Sequence, residues 1–131
     1  MARTLKQSLP FVLALLLFFA AACSKEPSVT MLNTVDTIYC DGCQIETTVR
    51  ELTVDGNQTT ARIRFLNLGN TTLDALNALV EFVDADGNVI ATYEVQLQFD
   101  ESLAVGDSVS ATARCERDDR IVGVVVSSVT Y

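Results

Sequence analysis

The chain contains no histidine, no tryptophan and only two prolines in 131 residues. Without an imidazole no Ser-His-Asp or Cys-His nucleophile system can form. The commonest zinc and copper ligand is missing with it. Catalytic chemistry would rest on carboxylates, thiols, hydroxyls and arginines alone, so the composition predicts a non-enzyme with no metal ion or other cofactor. Positive charge is also scarce, with nine Lys and Arg against seventeen Asp and Glu. An acidic surface repels nucleic acid and favours solubility, so nucleic-acid binding is not expected.

What the chain does have begins at its start. Arg3 and Lys6 precede an unbroken apolar run over residues 11–22, which closes as Ala20-Ala21-Ala22-Cys23. Twelve residues are too few for a bilayer core, which needs roughly 20. A basic start followed by a short apolar run and small residues is the pattern of a cleaved export leader. With the cysteine in place, the segment resembles the signal peptide and lipobox of bacterial lipoproteins. The resemblance implies cleavage before Cys23, a diacylglyceryl thioether on Cys23 and a further acyl chain on the new amino terminus. Each buried methylene contributes about 0.8 kcal/mol, so two or more chains hold a protein durably on a membrane. Ala20 departs from the Leu that lipoboxes favour. Ser24 follows the cysteine, which in Gram-negative members implies outer-membrane sorting. The expected organisation is a signal peptide at 1–22, a lipidated N-terminus and tether at 23–38, whose later part from Met31 to Ile38 is able to begin pairing, and a β domain at 39–131.

Removing the leader takes two basic residues and no acidic ones, leaving seven basic against seventeen acidic and a net charge of −10 on 109 residues. Much of the apolar character of the whole chain leaves with it. About 100 residues suffice for one domain with a modest core.

Beyond residue 38 the dominant signal is period-two alternation, punctuated by turn residues every ten to fifteen positions. Residues 59–66 set Ala61, Ile63 and Phe65 against Thr60, Arg62 and Arg64. Residues 76–82 set Leu76, Ala78, Val80 and Phe82 against Asn77, Leu79 and Glu81. Residues 89–99 are the clearest strand, with Val89, Ala91, Tyr93, Val95, Leu97 and Phe99 on one face. Val109, Ala111, Ala113 and Cys115 share a face further on, and residues 46–54 form an earlier strand with weaker patterning. The nearly continuous apolar run at 121–129 predicts a central strand or one covered on both faces. Six or seven short strands and no helix predict an all-β, antiparallel, immunoglobulin-like sandwich.

Within this pattern, Arg62-Ile63-Arg64-Phe65-Leu66-Asn67, the Gly-Asn-Thr-Thr loop at 69–72, and Val80-Glu81-Phe82-Val83-Asp84 followed by Gly87 are similar to FxLYD-type extracytoplasmic β-sandwich domains. Leu103-Ala104-Val105-Gly106-Asp107 resembles a later turn of that family. Val80, Phe82 and Val83 stand where the family's name-giving Phe, Leu and Tyr would be. The resemblance implies a sandwich that serves as an accessory module, and it brings no catalytic residues.

With Cys23 assigned to lipid, Cys40, Cys43 and Cys115 remain. Export permits disulfides. One bond from Cys40 or Cys43 to Cys115, or a local Cys40–Cys43 bond, leaves one thiol over. Thiol–disulfide exchange using the C-x-x-C with Cys115 as third partner is the rival functional reading, although no helix follows the motif to lower a thiol pKa. A three-thiolate metal site and intermolecular pairing are further readings of the same residues. Asp84, Asp86 and Asn88 copy the opening of a calcium loop, but the later glycine and glutamate positions hold Val89 and Val95, so a hairpin turn is expected. The acid pairs Asp100-Glu101 and Asp118-Asp119 suit solvated turns. Arg62 and Arg64 point the same way. They either pair across strands with acids such as Glu81 or Glu94 or form an anion-contact face.

The sequence therefore predicts a lipid-anchored extracytoplasmic module, held to the membrane through its N-terminus, with an envelope protein or glycan as partner.

Overall fold

Each alternating segment becomes a strand with its apolar set turned inward. The computed structural model describes residues 27–131; the leader and Cys23 lie outside the described residues. The strands are β1 (Ser28–Cys40), β2 (Cys43–Asp55), β3 (Gln58–Asn67), β4 (Leu73–Val83), β5 (Val89–Leu103), β6 (Ser108–Glu116) and β7 (Gly123–Thr130). They form two sheets, ordered β1-β2-β3-β6 and β5-β4-β7, and every pairing is antiparallel. The fold is the expected all-β sandwich. β2-β3-β6 and β5-β4-β7 correspond to strands A-B-E and C′-C-F of the immunoglobulin arrangement, with β1 added outside A.

Ile45, Val49 and Leu52 of β2 and Ala61, Ile63 and Phe65 of β3 face Leu76, Ala78, Val80 and Phe82 of β4 and Val124, Val126 and Val129 of β7 across the core. Phe65 and Phe82 are fully buried, each contributing about 1.5–3 kcal/mol by leaving water. β5 presents the predicted apolar face, yet only Val95 and Leu103 are buried along it, because β5 lies at a sheet edge.

The end of β3 is knotted by Asn67, a fully buried polar residue. Its Nδ2 donates to the carbonyls of Thr71 and Leu103, both at 3.0 Å, and its Oδ1 accepts from the Gly69 amide at 3.1 Å. Its backbone adds bonds with Asp107 and Gly106. One side chain thus supplies the partners that two loops cannot find in a ladder.

Two expectations are corrected. Residues 28–38, read as tether, belong to β1, which pairs with β2 from Ser28↔Val54 to Cys40↔Cys43. The sandwich therefore starts at Ser28 and not at 39. β1 does alternate, with Val29, Met31, Val35 and Tyr39 on one face, but as an edge strand it buries little of that row, and the polar, β-branched residues between them make it read as a spacer. The apolar run at 121–129, read as a central or doubly covered strand, leads into and supplies most of β7, which is an edge strand instead. Val124 and Val126 face the core while Val122 and Val125 are exposed.

Candidate functional site

The outer face of the β1-β2-β3-β6 sheet gathers the residues with the most to offer a partner. Strand register fixes what shares this face, since paired residues project to the same side. Arg62 of β3 lies opposite Glu51 of β2 and Thr112 of β6, and Arg64 lies opposite Thr48 and Ser110. The two arginines stand about 6.6 Å apart along one strand. Met31, Arg50, Glu51, Arg62, Arg64 and Ser110 line one shallow depression. A second depression beside it is lined by Glu51, Thr53, Thr60, Arg62 and Thr112. Arg114 extends the row on β6, opposite Thr60.

The expected partners of these arginines are elsewhere. Glu81 and Glu94 belong to β4 and β5, in the other sheet. Among the described residues, the ion pairs are Arg117 with Asp119 at 3.2 Å and Arg120 with Asp118 at 2.7 Å, both in the turn after β6. Arg50, Arg62, Arg64 and Arg114 have none among those residues and keep their donors available. The sequence reading missed Arg50. Its signal was a break in parity: Val49 and Leu52 are both buried although three apart, and the β2–β3 register shifts between Val49 and Glu51. The bulge turns Arg50 and Glu51 together toward the outer face.

β1 completes this face with an apolar row. Val29, Met31, Val35 and Tyr39 pair with Thr53, Glu51, Thr48 and Gln44 of β2. Tyr39 is 74% exposed, Met31 61% and Val35 59%, the three highest values among the large apolar residues described.

Of the three cysteines after Cys23, the structure pairs two. Cys40 and Cys43 are bonded to each other across the Asp41-Gly42 turn, with Cα atoms 4.9 Å apart. Gly42 takes φ +78°, and a Cβ there would sit 3.1 Å from the Tyr131 hydroxyl. That hydroxyl donates to the carbonyl of Asp41, fastening the end of the chain to the turn. Cys115 is a free, half-buried thiol. It lies opposite Thr59, which pairs with Val54 near the far end of β2 from Cys43. At about 3.3 Å per residue the separation is on the order of 35 Å. At that separation Cys115 neither bonds to Cys40 or Cys43 nor converges with them on a three-thiolate site in this structure. Burial chiefly, and Asp118 secondarily, push the Cys115 thiol pKa up, the opposite of what a reactive cysteine needs.

The Asp84-to-Asn88 turn is the expected hairpin. The Asp84 carboxylate accepts from the amides of Asp86 and Asn88 at 2.9 and 2.8 Å and from the Asn88 side chain at 3.2 Å. The Asn88 amide bond is the largest cause of its lowered pKa. These oxygens are spent on closing the turn.

Fold and site together define a seven-stranded immunoglobulin-like sandwich with an open sheet face of arginines flanked by exposed apolar residues. No protein-family model matches the chain, so the FxLYD resemblance rests on the residues quoted for it; no curated protein matches either. Among solved structures, the fold is similar to the solution NMR structure of the uncharacterized lipoprotein yajI from Escherichia coli, with a TM-score of 0.57 and 16% sequence identity. The likeness covers 74% of this chain and 62% of that one. It is a likeness of fold.

Proposed function

We propose that the protein is a bacterial lipoprotein, fixed to the extracytoplasmic side of a membrane through Cys23, that acts as a non-enzymatic binding or structural module. The observation that carries this reading is the adjacency of lipobox and fold: the sandwich begins at Ser28, five residues after the cysteine that ends the leader. A histidine-free composition, which removes the imidazole-based nucleophile systems, supports recognition over catalysis. The fold neighbour being a lipoprotein by name agrees with the anchor. An envelope protein or glycan is the class of partner such a module would meet, and Ser24 directs it to the outer membrane in a Gram-negative cell.

The test is fractionation of cells carrying Cys23→Ser. The wild-type chain should sediment with membranes and the variant should appear in the soluble extracytoplasmic fraction. Membrane retention of the variant would contradict lipidation at Cys23.

A further inference from the structure

We infer that the outer face of the β1-β2-β3-β6 sheet lies against the anionic lipid surface of the membrane that anchors the chain, leaving the opposite sheet to face other molecules. This deepens the proposed function and rests on lipidation at Cys23. Reach is the first constraint. The chain from Cys23 to Ser28 can span at most about 18 Å even if fully extended, at ~3.6 Å per residue, so the start of β1 is held close to the bilayer. Some surface of the domain must then face the lipid, and two properties select this one.

The first property is charge. Projected by register, this face carries Arg50, Arg62, Arg64 and Arg114, with Glu46 and Glu51 among them and Asp55 and Glu116 at one end. Four of the seven basic residues outside the leader thus meet four of the seventeen acidic ones. The face is neutral as a whole and cationic around the depression shared by Arg50, Arg62 and Arg64. The entire net negative charge of the mature chain lies elsewhere, on surfaces that anionic headgroups repel. Guanidinium groups with free donors suit phosphate oxygens, which they can bind bidentately.

The second property is the apolar row on β1. Val29, Met31, Val35 and Tyr39 run along the strand tethered to the anchor, exposed and directed to the same side as the arginines. Apolar side chains beside cationic ones are what an interfacial segment presents when it settles into the headgroup boundary, and tyrosine favours that depth. Contact along the whole row requires the sheet to lie flat. Tyr39 would otherwise stand on the order of 35 Å from Ser28 along the strand.

That separation makes Tyr39 the reporter. The chain has no tryptophan, so Tyr39→Trp in the full lipidated protein gives a single tryptophan, excited apart from the remaining tyrosines, at an exposed site. The variant is incorporated into vesicles of phosphatidylglycerol and phosphatidylcholine with brominated acyl chains, and flotation is measured in parallel. Docking predicts a blue-shifted emission quenched by roughly twofold by the brominated lipid. Adding Arg62→Gln and Arg64→Gln should remove most of the quenching while the protein still floats. Emission as red and unquenched as that of the Cys23→Ser, Tyr39→Trp protein, from a chain that floats, would overturn the docking and leave the anchor intact. A blue-shifted but unquenched emission would overturn it too, assigning the face to a protein, including a second copy of this chain. Failure to float would instead overturn the anchor itself.

Discussion

Arg120 and Asp118 illustrate how individual side chains set local chemistry. Arg120 reaches both carboxylate oxygens of Asp118, at 3.0 and 2.7 Å, and its amide donates to the same group at 3.0 Å. The Arg120 side chain foremost, and then its amide, hold the Asp118 pKa down to about 2 from an ordinary 3.8. A folded-state pKa below the unfolded one means that the contribution to stability is complete above about 3.8 and fades as pH falls through about 2. Carboxyl NMR titration should place the Asp118 midpoint near that lower value, and Arg120→Ala should return it toward 3.8; an unchanged midpoint in the variant would refute the assignment. Thr59 makes the converse case. Its Oγ1 is buried with no hydrogen-bond partner among the described residues. Thr59→Val keeps the shape and removes the unpaired hydroxyl, so urea unfolding should show no loss of stability and a gain of up to about 1 kcal/mol. A clear loss would reveal a partner for that oxygen.

At the scale of elements, the loops around the end of β3 depend on Asn67. Asn67→Ala strands the Thr71 and Leu103 carbonyls and the Gly69 amide, groups held in and around a buried site. The expected cost is roughly 3 kcal/mol, read from the urea midpoint at unchanged slope; a loss below about 0.5 kcal/mol would show that water replaces the side chain. Legibility in the sequence followed burial. β3, β4 and β6 each bury one face, so Ile63, Phe65, Leu76, Phe82 and Ala113 could be placed inward from alternation alone. β1 buries almost nothing and its sequence reads as a tether, although its register with β2 is nearly complete. β7 is apolar on both sides and its sequence reads as central, because composition cannot tell a covered valine from the exposed Val125. Arg62 and Arg64 were legible as co-facing, while Arg50 joins them through a bulge that appears in sequence only as a slipped parity. The cysteine pairing was not legible, since the spacing of Cys115 in the chain carries no information about which end of the sheet holds it.

At the scale of the whole molecule the proposed function joins three things: a leader followed by Cys23 as the lipid-accepting residue, a sandwich that starts at Ser28, and an asymmetric surface. The short link is what gives the asymmetry meaning, because a domain held this near a bilayer cannot be indifferent to which face it turns toward it. Its acidic charge belongs on the side away from the lipid, and its arginines and exposed valine, methionine and tyrosine belong on the near side. All of this stands on Cys23 being the mature, acylated amino terminus. Intact-mass spectrometry of the chain purified from bacterial membranes tests that most directly. The expected mass shows loss of residues 1–22 together with the addition of a diacylglyceryl thioether and an amide-linked acyl chain on Cys23. A mature chain beginning at another residue, or one beginning at Cys23 with a free thiol, would contradict it.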